Sequence, residues 1–168
     1  FAALCNMALI HINRNEPDAA LSLTTKAMAL PDIKENERLE AVENIAFACF
    51  QKHEWEKGWA LFDETMGVNE SRKERLYGET NGRWDGSKGK TICIYGEQGI
   101  GDEISFAGAI PDAIRDSKKV VIDCPERLWN LFARSFPEAD VYGTRYKMDN
   151  DWPKAYQFDH RCSVSGLQ

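Results

Sequence analysis

From Ala2 to Gly67 the apolar positions recur at three- and four-residue spacing, the period of a helix with one buried stripe. Leu4, Met7, Ala8 and His11 share a face. Asn15-Glu16-Pro17 then breaks the pattern, and Ala20, Leu21, Leu23, Ala27 and Met28 resume it before Pro31, which predicts a helix, a tight turn and a second helix. The same layout returns: Val42, Ile45, Ala46 and Cys49 make a stripe, KHEWEK (Lys52 to Lys57) makes the turn, and Trp59, Leu61, Phe62, Thr65 and Met66 make the next stripe. Small residues keep one register through both pairs, since Ala8 and Ala46, and likewise Ala20 and Gly58, are separated by the same 38 residues. The layout suits either a helical repeat array or a plain bundle of α-hairpins. Trp55 and Trp59, four apart on one helix, are expected to pack against a neighbouring domain rather than to bind a ligand.

After Gly67 the pattern changes. Residues 68–89 are polar and glycine-rich and read as a linker, with room for a short helix over Ser71 to Tyr77 and with Trp84 and Asp85 as a plug and turn tying it to a sheet. Beyond it, β-branched and amphipathic runs alternate. Thr91 to Tyr95, Lys119 to Asp123 and Ala139 to Tyr142 predict strands; Asp102 to Arg115 and Glu126 to Ser135 predict helices. Strands separated by helices pair in parallel through right-handed crossovers, and ligands of such sheets sit at the carboxyl ends of the strands.

Composition narrows the class. Hydrophobic residues at 43% and charged residues at 29% suit a globular chain, and a net charge of −6 argues against a nucleic-acid partner. The five cysteines (Cys5, Cys49, Cys93, Cys124, Cys162) lie apart without a CxxC pair and read as reduced core residues of a cytoplasmic protein. No apolar run reaches the ~18 residues of a membrane span, and no signal peptide opens the chain. Starting at Phe1 in helical pattern and stopping at Gln168, the sequence reads as a fragment.

The candidate chemistry lies in GEQGIGDEISFA, Gly96 to Ala107, between the first strand and its helix. Gly96, Gly99 and Gly101 are expected to use positive φ and close backbone approach, and the first-turn amides of the helix favour an anion or an acceptor oxygen. Asp102 stands either as the helix N-cap, accepting an amide near Ser105, or as a catalytic carboxylate. Gly99-Ile100-Gly101 with Asp123 beyond it is compatible with a dinucleotide site, although Ile104 takes the place of the third glycine and Glu97, Asp102 and Glu103 crowd the pyrophosphate position. Asp149, Asn150 and Asp151 read as an exposed turn, and no metal set is evident.

Two resemblances give these residues a context. The paired small residues of 1–67, with Pro31 after the second helix, resemble the tetratricopeptide repeat, with extra residues in PDIKEN (Pro31 to Asn36). Further on, RWDG (Arg83 to Gly86), KTICIYGEQGIGDEISFAGAIP (Lys90 to Pro111), KKVVIDCPERLWNLF (Lys118 to Phe132) and the pair Phe158-Asp159 resemble the bacterial tetratricopeptide-linked glycosyltransferases, relatives of the heptosyltransferases and of the O-linked N-acetylglucosamine transferases. The resemblance implies an α plus α/β chain: tetratricopeptide-like hairpins (1–67), a linker (68–89) and a truncated Rossmann-like parallel half-domain (90–168), the N-terminal half of a GT-B fold. It implies Asp102 as general base toward an acceptor hydroxyl, with Glu97, Gln98, Gly99, Gly101, His160 and Arg161 as acceptor contacts. No cofactor is implied for this part; the donor, a nucleotide sugar, would bind a second half, so the 168 residues alone are expected to be inactive. The partners implied are an acceptor glycan or protein and a protein held by the repeats. The readings from other classes are a tetratricopeptide interaction module with a noncatalytic α/β domain, and a dinucleotide-dependent oxidoreductase.

Overall fold

The computed structural model describes residues 1–67, 72–78, 82–147 and 150–168, and the chain falls into two units, Phe1–Lys73 and Glu74–Gln168. The first holds four helices: α1 (Ala2–Asn13), α2 (Pro17–Met28), α3 (Glu35–Gln51) and α4 (Trp55–Glu64). α1 packs on α2 and α3 on α4, and α3 also lies against both helices of the first pair.

The two pairs repeat each other at 38 residues down to single backbone angles. Asn15 (φ 58°) and His53 (φ 60°) turn the chain in the left-handed region that few residues other than glycine enter. In each turn the residue after them closes on the preceding helix by the same 2.9 Å bond, Glu16 N to His11 O and Glu54 N to Cys49 O. Buried Ala20, Thr24 and Ala27 of α2 stand 38 residues before buried Gly58, Phe62 and Thr65. Gly58 is small because a Cβ there would lie 2.5 Å from the Phe50 ring.

The buried stripe of α1 is Cys5, Ala8 and Ile12, and the predicted stripe is corrected at Met7, which is 48% exposed; Met28 of α2 is exposed too. Helices that approach through small residues place their bulky neighbours about 100° away on the cylinder. Trp59 meets the rings of Phe50 (4.7 Å) and Phe62 (5.8 Å), and half-exposed Trp55 stacks on Phe50, so both tryptophans have ring partners within their own helix pair. Buried Arg72 lies over the Phe62 ring at 3.7 Å and donates to Phe62 O at 2.7 Å, joining Thr65 Oγ1 (2.8 Å) on that carbonyl at the end of α4. The helix predicted over Ser71 to Tyr77 starts outside the described residues, and Lys73 to Tyr77 is not helical.

The second unit is a four-stranded, wholly parallel sheet of order β3-β2-β1-β4, with β1 (Thr91–Tyr95), β2 (Lys119–Asp123), β3 (Asp140–Tyr142) and β4 (His160–Ser163). Between the strands lie α5 (Ile100–Phe106), α6 (Ile110–Asp116) and α7 (Glu126–Ser135). The single helix predicted over Asp102 to Arg115 is two, joined by a 3-10 turn at Ala107–Ala109. Pro111 has no N–H to give Ala107 O, so a continuous α-ladder stops there. The sequence pattern does not predict β4: HRCS is short and mostly polar, and it becomes a strand by pairing with β1 along its whole length, with a single bridge to Arg83 on its other side.

Alternation divides the sheet into two unlike faces. Ile92, Ile94, Val120 and Ile122 point to the side filled by Ala107, Ile110, Ala113, Leu128, Phe132 and Phe136 of the helical segments. Cys93, Tyr95 and Val121 point to the other, where Tyr77, Tyr142, Trp152, Tyr156 and Phe158 form an aromatic layer. The strand order dictates this division. The connections β1 to β2 and β2 to β3 run in one direction and share a face; β3 to β4 runs back past β1, and right-handed crossing then requires the opposite face. Trp84 donates from its backbone N to Arg161 O (2.8 Å) and packs on the aliphatic core, with Ser87 N on Asp85 Oδ1 (3.0 Å), which ties residues 83–87 to β4.

All five cysteines are buried and unpaired by disulfides. Among the described residues no helix is long and apolar enough to cross a membrane.

Candidate functional site

The strand order reverses between β1 and β4, and in open parallel sheets the carboxyl ends of the strands at such a reversal are where ligands bind. The loop Gly96 to Gly99 leaves β1 there, and residues 164–168 leave β4 beside it. Val164 N donates to Tyr95 O at 2.8 Å, and Gln168 Nε2 reaches Phe106 O at 3.2 Å. The two segments therefore form one rim.

The acidic loop is held from three sides. Gly96 N donates to Asp123 O at the end of β2 (3.1 Å). Glu103 of α5 is buried, and its carboxylate lies against the Cα of Gly96, so that any Cβ at 96 would collide with it. Arg145, from the connection after β3, is buried too; its Nη1 pairs with Glu103 Oε1 and donates to Gln98 O at 2.6 Å. An ion pair out of water requires good geometry and further hydrogen bonds to offset desolvation, and the Gln98 carbonyl supplies one. The result is a loop pinned by a charge 42 positions past Glu103 in sequence.

Asp102 lies on this rim, exposed. The helix starts at Ile100 with Gly99 as its N-cap, so Asp102 is its third residue and not the N-cap expected from sequence. Its Oδ2 accepts the Gly99 amide at 3.2 Å, and Oδ1 takes no hydrogen bond among the described residues. Ser105 donates to Gly101 O instead of engaging Asp102 (3.0 Å). A further correction concerns the glycines: neither Gly96, Gly99 nor Gly101 has positive φ. Gly96 is needed for close approach, Gly99 is extended (φ −72°, ψ 162°), and the space beside Gly101 is open. The amide end of α5 faces a carboxylate of its own, which leaves little to attract an anion.

The structure brings Glu97, Gln98, Gly99, Gly101 and Asp102 together on this loop, Glu97 being buried and the rest at or near the surface. It does not bring His160 and Arg161 to them. These residues open β4 opposite Ile92 and Cys93, three and two positions before the carboxyl end at Tyr95, or about 7–10 Å down the strand. Arg161 Nη2 there meets Glu74 Oε1 at 3.2 Å. The two residues belong to a strand that the sequence pattern does not predict, and that is why they leave the rim.

Asp123, the acid of the dinucleotide reading, is fully buried at the end of β2. Tyr77 Oη donates to its Oδ2 at 2.7 Å with Arg75 Nη1 at 3.4 Å, while Thr144 N (3.1 Å) and Thr144 Oγ1 (2.8 Å) donate to Oδ1. Burial raises its carboxyl above the ordinary range, and the hydrogen bonds from Tyr77 and Thr144 and the Arg75 charge oppose that rise. No acceptor lobe is left for a ribose hydroxyl. Asp149 lies outside the described residues; Asn150 donates to Lys147 O (3.2 Å) and Asp151 pairs with Lys154 (2.6 Å). Among the described residues no group of three or more His, Cys, Asp or Glu is placed to hold a metal ion.

Sequence reasoning missed Arg145 and Glu103. Glu103 stood in view as one more acid of the loop, but its role depends on Arg145, and only the parallel register, which sets the end of β3 beside β2 and so near β1, brings that residue close.

The chain is similar to Protein FlbA of Caulobacter vibrioides, with 30% identity over 149 residues, covering 83% of this chain and 24% of that protein. It thus spans well under half of that relative's length. No family model matches the chain, and no solved structure matches it.

Proposed function

We propose that this chain is the repeat-bearing and acceptor-side part of a glycosyltransferase, with the rim formed by the β1 and β4 loops receiving the acceptor hydroxyl and Asp102 taking its proton. The observation that carries the reading is the exposed Asp102 carboxylate, with one oxygen that takes no hydrogen bond among the described residues, on an acidic loop at the reversal point of a parallel sheet. Sugar transfer to a hydroxyl needs a carboxylate within hydrogen-bond reach to accept the proton as the new bond to the anomeric carbon forms and the nucleoside diphosphate leaves. The pinned loop would hold that carboxylate in place. Helix pairs repeating at 38 residues and the order β3-β2-β1-β4 support the tetratricopeptide and Rossmann-like parts of the resemblance. The nucleotide sugar falls to a second α/β half of the GT-B architecture; the described residues form one sheet.

The oxidoreductase reading loses its ribose-binding acid, because Asp123 is consumed by Tyr77, Thr144 and Arg75. The test is Asp102→Asn in the longest polypeptide that carries this chain, assayed for acceptor-dependent release of nucleoside diphosphate. Loss of a general base lowers kcat by roughly 10²–10⁴ with KM for the donor little changed. Unchanged kcat in a folded variant would remove Asp102 from the chemistry and favour the interaction-module reading.

A further inference from the structure

The 38-residue repeat allows each residue of the first helix pair to be compared with its counterpart in the second, and the comparison is uneven on one face. α3 is seated on the first pair through Ala41 and Ala48, both 0% exposed, with partly buried Ile45 between them. Three polar side chains of that segment bind back to the first pair: Asn44 Nδ2 to Cys5 O at 3.3 Å, Gln51 Nε2 to Ile12 O at 2.6 Å, and Lys52 Nζ to Asp18 Oδ1 at 2.6 Å. Thirty-eight positions earlier, Ala3, Met7 and Ile10 stand in the places of Ala41, Ile45 and Ala48, and Asn6, Asn13 and Arg14 in those of Asn44, Gln51 and Lys52. The chemistry matches position by position: small or apolar for small or apolar, amide for amide, cation for cation. Yet every one of these six is exposed, Met7 at 48% and Ile10 at 50%, and the three polar side chains have no hydrogen bond among the described residues.

We propose that this face of α1 is the seat of a further helix pair of the same repeat, carried ahead of Phe1 on the same polypeptide. The surface continues the interface that α3 already makes, with the same kinds of group at the same spacing, so the occupant is specified by what α3 meets. It presents two backbone carbonyls of its first helix to Asn6 and Asn13, a carboxylate at the start of its second helix to Arg14, and small residues to Met7 and Ile10. A covalent connection as short as residues 29–34, which joins α2 to α3, gives such a pair a high effective concentration. Two pairs alone also bury little apolar surface, and a third lengthens the core. Nothing in this docking depends on sugar transfer.

The test compares the 168-residue chain with a tandem chain in which a copy of residues 1–38 precedes Phe1, supplying such a pair in register. All five native cysteines are buried, so a thiol introduced as Met7→Cys, or as Ile10→Cys should the first fail to fold, reports the face by its rate of alkylation. In the tandem chain the rate is expected to fall by roughly tenfold or more, the population ratio that even a modest docking free energy produces. Asn6→Ala with Asn13→Ala is expected to lower Tm in the tandem chain and to leave it unchanged in the 168-residue chain. Alkylation as fast in a fully helical tandem chain as in the shorter one would overturn the proposal. So would protection in the 168-residue chain that grows with protein concentration, which would make a second copy the occupant.

Discussion

In Phe1–Lys73 the turn and the close approach within a helix pair are each made twice, whereas in Glu74–Gln168 the contacts that hold the loops are each made once. The helical unit uses small residues at a fixed interval, Ala20 and Gly58, Ala8 and Ala46, and one turn geometry at Asn15 and His53. Its order is local, and a residue's role can be checked against its copy. The sheet unit depends on single long-range contacts: Arg145 on Glu103 and Gln98, Tyr77 and Thr144 on Asp123, Asp159 on the Thr91 amide (2.8 Å). A repeated interface tolerates the weakening of one member; a unique clamp has no second copy to share the load. The acidic loop lies under such a clamp, which is how a short glycine-rich segment can be kept in one conformation without positive-φ turns.

The largest effect that this contrast predicts is at Arg145. Arg145→Met leaves the Glu103 carboxylate buried without its cation and is expected to cost about 3–5 kcal/mol, read as a lower urea midpoint with an unchanged slope. Adding Glu103→Gln should recover part of that loss, since the stranded charge is then gone. A cost under about 1 kcal/mol, the range of exposed pairs, would mean that the pair is no clamp.

Next come two glycines that resemble each other on paper. Gly96→Ala drives a methyl into the Glu103 carboxylate, which Arg145 prevents from moving, and should cost about 1–3 kcal/mol. Gly58→Ala meets the ring of Phe50, which packs on Phe47, Trp55, Trp59 and Phe62 but is only partly buried, and the substitution gains about 1 kcal/mol of helix propensity that offsets part of the clash. Its net cost should be smaller than that of Gly96→Ala. Equal costs in thermal or urea melts would erase the distinction between the clamped unit and the repeated one.

The smallest effect is a slope with pH. Because burial raises the Asp123 carboxyl in the folded state, folding favours its protonated form, and its contribution becomes less favourable as pH climbs from the ordinary value of 3.8 through the folded-state value. The midpoint of the native chain minus that of Asp123→Asn should therefore decline as pH rises across this window. A rising difference would mean that the hydrogen bonds from Tyr77 and Thr144 outweigh desolvation.

Much of the fold could be read from local pattern. TICIY and KVVID are runs of β-branched and apolar residues, and both strands span the residues predicted; α7 matches Glu126 to Ser135 as well, because its apolar stripe is strong. The shared spacing of Ala8, Ala46, Ala20 and Gly58 foretold that the helix pairs repeat. What stayed hidden depended on distance. HRCS lacks a strand's pattern and pairs only because β1 offers a free edge. The break at Ala107–Ala109 comes from an amide missing at Pro111, four residues downstream of the carbonyl it would have met. In the candidate site, Asp102 and its glycines were visible as a motif, but the clamp was not, since nothing near Arg145 in sequence marks it as the partner of a loop more than 40 positions earlier.

Acceptor-dependent turnover is the decisive measurement. The longest polypeptide containing this chain is incubated with a panel of nucleotide sugars and candidate acceptors, glycan and protein, and the nucleoside diphosphate released is quantified beside the Asp102→Asn variant. Proton transfer to Asp102 predicts release that requires an acceptor and that the substitution suppresses by roughly 10² or more. Release of equal rate from a folded Asp102→Asn variant, or transfer by a protein from which residues 90–168 have been removed, would contradict it.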